Sequence, residues 1–193
     1  MDLISTLSKT QKKYIQYRDF KENTVIFHEN DICNNVGIVI KGEIAIISYL
    51  ENGKEIVYNV IKDNGIFGAN LIFSSKPYYK GNVICEKQSK IALINKENII
   101  KIIQNNKEFA LEFLKAQANF AIGLNETIEL LSIEKAEDRL LYYFHNNHNT
   151  INYQSVSQLA KKLHLQRETL SRLLSKYEKK NKIKREKNTI SLL

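Results

Sequence analysis

The segment QRETLSRLL, from Gln166 to Leu174, places two arginines, a glutamate and a serine among leucines. These residue types can read base edges. Arginine donates bidentately to guanine, glutamate accepts from the cytosine amino group, and serine adapts to several bases. On a helix with Glu168 at zero, Arg172 falls at about +40°, Ser171 at about −60° and Arg167 at about −100°. Leu170, Leu173, Leu174 and Tyr177 gather on the opposite side, at roughly 140–240°. One helix thus has an apolar base and a polar face near its N-terminus, which Gln166 and Thr169 extend. Without a partner, the same residues form a solvated surface on which Glu168 braces Arg172 one turn later.

Other chemistry-bearing residues are sparse. His145 and His148 lie three apart in HNNHNT, but no cysteine or carboxylate adjoins them, so a solvated loop is expected rather than a metal site. Cys33 and Cys85 are the only cysteines, too few for a disulfide scaffold or an iron–sulfur cluster. Metal enzymes on β-roll scaffolds gather several histidines with a carboxylate, whereas only His28 lies within residues 1–133. The chain is therefore read as not an enzyme.

The elements that must carry the polar face follow from pattern. Ser155 and Gln158 form a capping box opening a helix with Val156, Leu159, Ala160 and Leu163 on its apolar side. HLQ at 164–166 breaks it, and a second helix starts near Arg167. KIKREKNTISLL at 182–193 then reads as two strands around a Glu186–Asn188 turn, with Lys184 and Arg185 able to touch phosphate. Upstream, glycines punctuate β-branched runs, which predicts strands at 36–40, 43–49 and 55–61 and a hairpin turn at Asn52–Gly53. A short helix is expected over 2–17. Between Glu97 and His145 the pattern is helical. Phe109, Phe113, Ala116, Phe120, Gly123, Thr127 and Leu130 form one stripe; Ala110, Leu114, Gln117, Ala121, Leu124, Ile128 and Leu131 form another. One stripe suits the β-domain and the other the same helix of a second copy, with Phe113, Ala116, Phe120, Gly123 and Thr127 as the expected seam. A further helix is expected from Ser132 or Ile133 to about His145.

Charge is concentrated. Of the net +8, residues 134–193 carry +7 and residues 1–133 carry +1, which points to a polyanion partner for the C-terminal part alone. No run of about 18 apolar residues occurs, so no membrane partner is expected. The N-terminus lacks the layout of a secretory signal, so a cytoplasmic location is expected.

SVSQLAKKLHLQRETLSRLL resembles the helix–turn–helix of the bacterial cyclic-AMP receptor/FNR family of transcription regulators. VIFHEND, IVIKGEIAII, ENGKEI and NGIFGANLIF resemble that family's β-roll in the same order, so the likeness spans nearly the whole chain. It implies an α+β fold: a cyclic-nucleotide-binding-like β-roll (a double-stranded β-helix) over 1–104, a dimerisation helix over 105–131, and a winged helix–turn–helix over 132–193. It implies a homodimer on a palindromic double-stranded DNA operator, with RNA polymerase as a partner if the protein activates. Arg167, Glu168 and Arg172 fall where the family reads bases, and Glu168, Ser171 and Arg172 match the FNR-type E-x-x-S-R pattern.

Two departures stand out. His164 takes the place of the usual turn glycine. In the effector pocket (Phe67, Gly68, Ala69, Tyr79 and Lys80), Ala69 replaces the glutamate that holds ribose, and Tyr79–Lys80 replace the Arg-Ser pair that holds phosphate. Lys80 offers a point charge rather than a bidentate fork, so cyclic AMP is disfavoured. The effector stays open: haem through His28, Cys33 or Cys85, a thiol switch, a peptide, a small apolar ligand, or none. The competing reading is a β-roll regulatory subunit acting through protein partners, which would leave no footprint on DNA.

Overall fold

The computed structural model describes residues 3–193. Met1 and Asp2, assigned above to the β-roll and in part to its leading helix, lie outside the described residues. Two compact units divide the chain, one ending at Asn119 and the other running from Phe120 to Leu193. Each has its own apolar core.

The first unit is built from eight strands: β1 Gln16–Phe20, β2 Val25–Phe27, β3 Asn35–Lys41, β4 Glu43–Tyr49, β5 Glu55–Lys62, β6 Ile66–Phe67, β7 Asn82–Cys85 and β8 Ser89–Asn95. They form two four-stranded antiparallel sheets, ordered β1-β8-β3-β6 and β2-β7-β4-β5. The β3, β4 and β5 spans match the expected strands within a residue. Consecutive strands fall in different sheets except β4 and β5, which pair as a hairpin within one sheet. Val36, Ile38 and Val39 of β3 and Ile91, Ala92, Leu93 and Ile94 of β8 are all buried, so these strands are covered on both faces and show no alternation. Gly37 pairs with Phe67 across β3 and β6, and a Cβ there would fall 2.0 Å from the Phe67 ring. The missing side chain is what seats Phe67. Gly53 closes the β4–β5 hairpin at φ +77, assisted by Asn52 Oδ1 accepting from the Lys54 amide at 3.0 Å.

The expected helix over 2–17 is not formed. A 3-10 turn at Gln11–Tyr14 and then β1 occupy that span. Ser8 and Gln11 exchange side-chain and backbone hydrogen bonds (3.0 and 3.2 Å), a capping box that opens the 3-10 turn. Leu3, Leu7 and Ile15 still reach the core.

Five helices follow: α1 Lys96–Asn105, α2 Lys107–Ser132, α3 Ala136–Asn146, α4 Val156–Lys162 and α5 Arg167–Lys179. Asn106 separates α1 from α2. It sits in extended geometry, its Oδ1 caps α2 through the Phe109 amide (3.0 Å), and its Nδ2 donates to Thr6 O and Gln11 Oε1 (2.9 Å each). Phe109 and Phe113 of α2 stack on each other at 6.0 Å and are buried in the first core. Phe113 therefore does not stand on the open face of α2, contrary to the seam expected from the pattern. Phe120 and Gly123 are exposed; Ala116 and Thr127 are half-buried. The second stripe is the open one, with Leu114, Leu124, Ile128 and Leu131 at 63, 48, 65 and 50% exposure. α3 begins at Ala136, three residues after the expected start.

In the second unit β9 Thr150–Asn152, β10 Ile183–Arg185 and β11 Thr189–Leu192 form a sheet ordered β10-β11-β9. The β10–β11 hairpin turns at residues 186–188, as the pattern predicts. β9 emerges from the segment expected to be loop, after His148 and Asn149 adopt left-handed backbone. With α4 and α5 this is a winged helix–turn–helix.

Candidate nucleic-acid interface and effector pocket

Leu170 and Leu174 are wholly buried under α5, and Tyr177 nearly so. Gln166, Arg167, Glu168, Ser171 and Arg172 are exposed on the other side, with Thr169 half-buried at the margin. The helix thus presents the face expected of it. Glu168 does not brace Arg172: among the described residues neither of them, nor Arg167, takes part in an ion pair. Their hydrogen-bonding capacity is left to solvent or a ligand. Along the same helix Ser171, Arg172, Ser175, Lys176, Lys179 and Lys180 line an open hollow of about 460 Å³. It is lined by four cations, of which Lys176 is also held by Glu137, and two hydroxyls, the chemistry of a phosphate track.

The corner before α5 is a complete Schellman closure. His164 donates to Lys161 O (3.1 Å) and Leu165 to Ala160 O (2.9 Å), with His164 at φ +50. Ser155 Oγ caps α4 by accepting from the Gln158 amide at 3.1 Å. Gln158 Oε1 accepts from the Gln154 amide, one residue before the position of a reciprocal capping box.

Two anchoring residues escaped the sequence reading. Glu137 of α3 accepts from the Tyr177 hydroxyl (2.8 Å) and from Lys176 Nζ (3.0 Å), tying α3 to α5. These partners hold the Glu137 carboxyl below its ordinary value, while burial and Glu137 push the Tyr177 phenol up to about 12. Arg139 of α3 donates to the carbonyls of Ile133, Leu163 and His164. Their one sequence signal is position: Glu137, Asp138 and Arg139 open a helix whose next residues are apolar or aromatic.

The wing carries its cations less freely than composition suggests. Lys184 pairs with Glu186 at 2.9 Å and Arg185 leans on Glu178 at 3.6 Å. Lys182 lies over the Tyr177 ring, 5.4 Å from its centroid.

In the β-roll, Phe67, Ala69 and Tyr79 are buried, and Tyr79 stacks on Phe27 with centroids 4.9 Å apart and planes 12° apart. Cys33 Sγ donates to the carbonyls of Gly68 and Asn35 at 3.5 Å each. Among the described residues the Tyr79 hydroxyl is buried without a hydrogen-bond partner; burial, and then the adjacent Cys33 thiol, raise its pKa above the ordinary phenol value. Lys80, expected in the same pocket, is exposed instead. The pocket residues are thus apolar or neutral and offer an anionic phosphate no charged donor; they do not fit a cyclic nucleotide. His28 is exposed and both cysteines are buried, each thiol raised chiefly by that burial. Among the described residues no three histidine, cysteine or acidic side chains gather to hold a metal ion, and no helix is long and apolar enough to cross a membrane.

Residues 17–106 match the cyclic nucleotide-binding domain family. Several solved structures are similar. A transcriptional regulator from Thermotoga maritima is 28% identical, covering 69% of this chain and 100% of its own, with a TM-score of 0.58. The catabolite activator protein of Thermus thermophilus shares the fold at 17% identity, covering 99% of this chain and 93% of its own (TM-score 0.56). A CooA variant from Carboxydothermus hydrogenoformans does so at 18% identity, covering 100% and 91% (TM-score 0.73). None of the curated protein sequences compared matches the chain.

An unpaired buried hydroxyl is costly, so its removal without a change of shape is expected to be neutral or to stabilise by about 1 kcal/mol. Tyr79→Phe should show this in urea unfolding of the whole chain, whereas Tyr79→Ala, which leaves a cavity beside Phe27, should lose about 3–5 kcal/mol. A loss above about 1 kcal/mol for Tyr79→Phe would mean that the hydroxyl is satisfied.

Proposed function

We propose that the chain is a homodimeric, sequence-specific DNA-binding transcription regulator of the cyclic-AMP receptor/FNR kind, controlled through its β-roll by an effector other than cyclic AMP. The observation that carries this reading is the face of α5. Arg167, Glu168, Ser171 and Arg172 project from a helix anchored by buried leucines, and none is engaged in an ion pair among the described residues. A helix so placed enters the major groove with its N-terminal residues toward the bases. The hollow of Lys176, Lys179 and Lys180 continues the face with phosphate-binding chemistry, and the net +7 of residues 134–193 favours a polyanion partner. Arg172 is assigned to guanine, Glu168 to cytosine and Ser171 to thymine or a neighbouring base, with Gln166, Arg167 and Thr169 at the margin.

The dimer reading rests on the open stripe of α2. Leu114, Leu124, Ile128 and Leu131 recur at helical spacing and stay exposed. A stripe of this kind is self-complementary across a two-fold axis, and two copies of α5 would then meet a palindrome.

Duplexes selected from a random pool by the purified protein provide the first test. Arg172→Ala is expected to lose about 1–3 kcal/mol per half-site on the selected duplex and to relax preference at one base pair. Lys184→Ala should instead weaken selected and scrambled duplexes alike, with a shallower salt dependence. Equal losses on both duplexes for Arg172→Ala would reassign that residue to the backbone.

Ile128→Glu places a charge in the proposed seam and is expected to give a folded monomer in sedimentation at micromolar concentration, with lowered DNA affinity. A wild-type protein that sediments as a monomer there would remove the dimer from the proposal.

Titration of the protein with cyclic AMP in a calorimeter is expected to show no binding at micromolar concentrations, since Ala69 and Tyr79 offer phosphate and ribose no charged partner. A dissociation constant of about 1 μM or tighter, near −8 kcal/mol, would overturn that part.

A further inference from the structure

Arg139 stands among three backbone carbonyls. Its Nε and Nη2 donate to Ile133 O at 3.2 and 2.7 Å, and its Nη1 donates to Leu163 O and His164 O at 3.3 and 3.0 Å. Ile133 follows the end of α2, whereas Leu163 and His164 form the corner between α4 and α5. Leu163 O belongs to the peptide entering His164 and His164 O to the peptide leaving it. The angle between those two peptides is set by the φ and ψ of His164 alone. Both carbonyls meet one guanidinium nitrogen with His164 in the left-handed region, at φ +50.

That conformation is disfavoured for any residue with a Cβ. The corner's own hydrogen bonds, from the His164 and Leu165 amides, close it on α4 but engage neither α3 nor the end of α2. We infer that Arg139 is the positioning residue of the base-reading helix. By holding the carbonyls on both sides of His164 it keeps the corner left-handed, and by holding Ile133 O it references that corner to the start of α3. The direction in which Arg167, Glu168, Ser171 and Arg172 project follows from this. A guanidinium meets the need because its donors form a rigid planar fork; an ammonium is a point charge on a flexible stem. The inference rests on the DNA-binding reading for its consequence, but the clamp itself is a property of the free protein.

Two measurements separate these. In DNA-free protein, exchange of the Leu165 amide hydrogen should quicken in Arg139→Ala. It should slow again in the double variant Arg139→Ala/His164→Gly, because glycine holds positive φ unaided. In binding to the selected duplex, Arg139→Ala should lose roughly tenfold or more, against less than about threefold on scrambled DNA, and the double variant should recover most of the loss. His164→Gly alone should bind as the wild type does. The inference is overturned if Leu165 exchange is unchanged in Arg139→Ala. It is equally overturned if affinity for both duplexes falls alike with no recovery by His164→Gly, the behaviour of a residue needed only for stability. If the wild type selects no duplex while the exchange pattern holds, the DNA reading fails and the clamp stands.

Discussion

Everything the second unit presents depends on how α5 divides its two sides. Burying Leu170 and Leu174 contributes about 1.5–3 kcal/mol each, and no rotation of the helix keeps that gain while turning Glu168 or Arg172 inward. The polar face is therefore exposed by necessity. The Glu137 bridge to Tyr177 and Lys176 resists rotation at the far end of the contact, and the corner at His164 resists it at the near end. A left-handed residue with a Cβ costs about 1–2 kcal/mol. Hydrogen bonds from a charged donor are worth about 1.5–3 kcal/mol each, so those of Arg139 to the corner carbonyls offset that cost with some to spare. A helix fixed at both ends can hold short side chains such as Ser171 in one place relative to a groove.

The β-roll solves the opposite problem. Its pocket is closed by its own side chains. Tyr79 lies against Phe27, Gly37 admits Phe67, and Cys33 binds the Gly68 carbonyl. Among the described residues the Tyr79 oxygen is buried without a hydrogen-bond partner. A ligand able to accept a hydrogen bond there would gain more than one that could not, since the hydroxyl has already lost its water. Chemistry of that kind is neutral and compact, unlike a cyclic nucleotide, whose phosphate would meet no cation in this cluster.

Much of this was legible in the sequence, for identifiable reasons. The face of α5 could be drawn because leucines at helical spacing and a stop at HLQ leave one arrangement of the polar residues. β3 to β5 could be placed because Gly53 marks their turn and β-branched residues fill them. The lapses share a cause as well. With seven glycines in the chain, many left-handed turns fall to Asn23, Asn30, Asn64, Asn149 and Asn181, which look like ordinary polar residues. β9 was missed for this reason. The helix expected at 2–17 failed because helical spacing of Leu3 and Leu7 does not register the cap that Ser8 and Gln11 form partway along the segment. Periodicity identifies two stripes on α2 but cannot say which one the Phe109–Phe113 stack draws into the core. Arg139 and Glu137 bind backbone and phenol across many residues of sequence, and no local pattern reports such partners.

Electrostatics add a constraint that composition alone hides. A field is set by charges without internal partners, because an ion pair acts at a distance as a weak dipole. In the wing, Lys184 and Arg185 are each countered by a carboxylate, and on α5 Lys176 is countered by Glu137. Among the described residues of the second unit, ten Lys and Arg side chains have no such partner, and four of them, Arg167, Arg172, Lys179 and Lys180, lie on α5 or at its end. On α5 these unpaired cations lie beside Glu168 and Ser171, the residues proposed to read bases. At physiological ionic strength the screening length is about 8 Å, shorter than α5 itself, whose 13 residues span about 20 Å. Attraction therefore acts close to the charges themselves, and in the proposed reading approach and recognition would use the same surface.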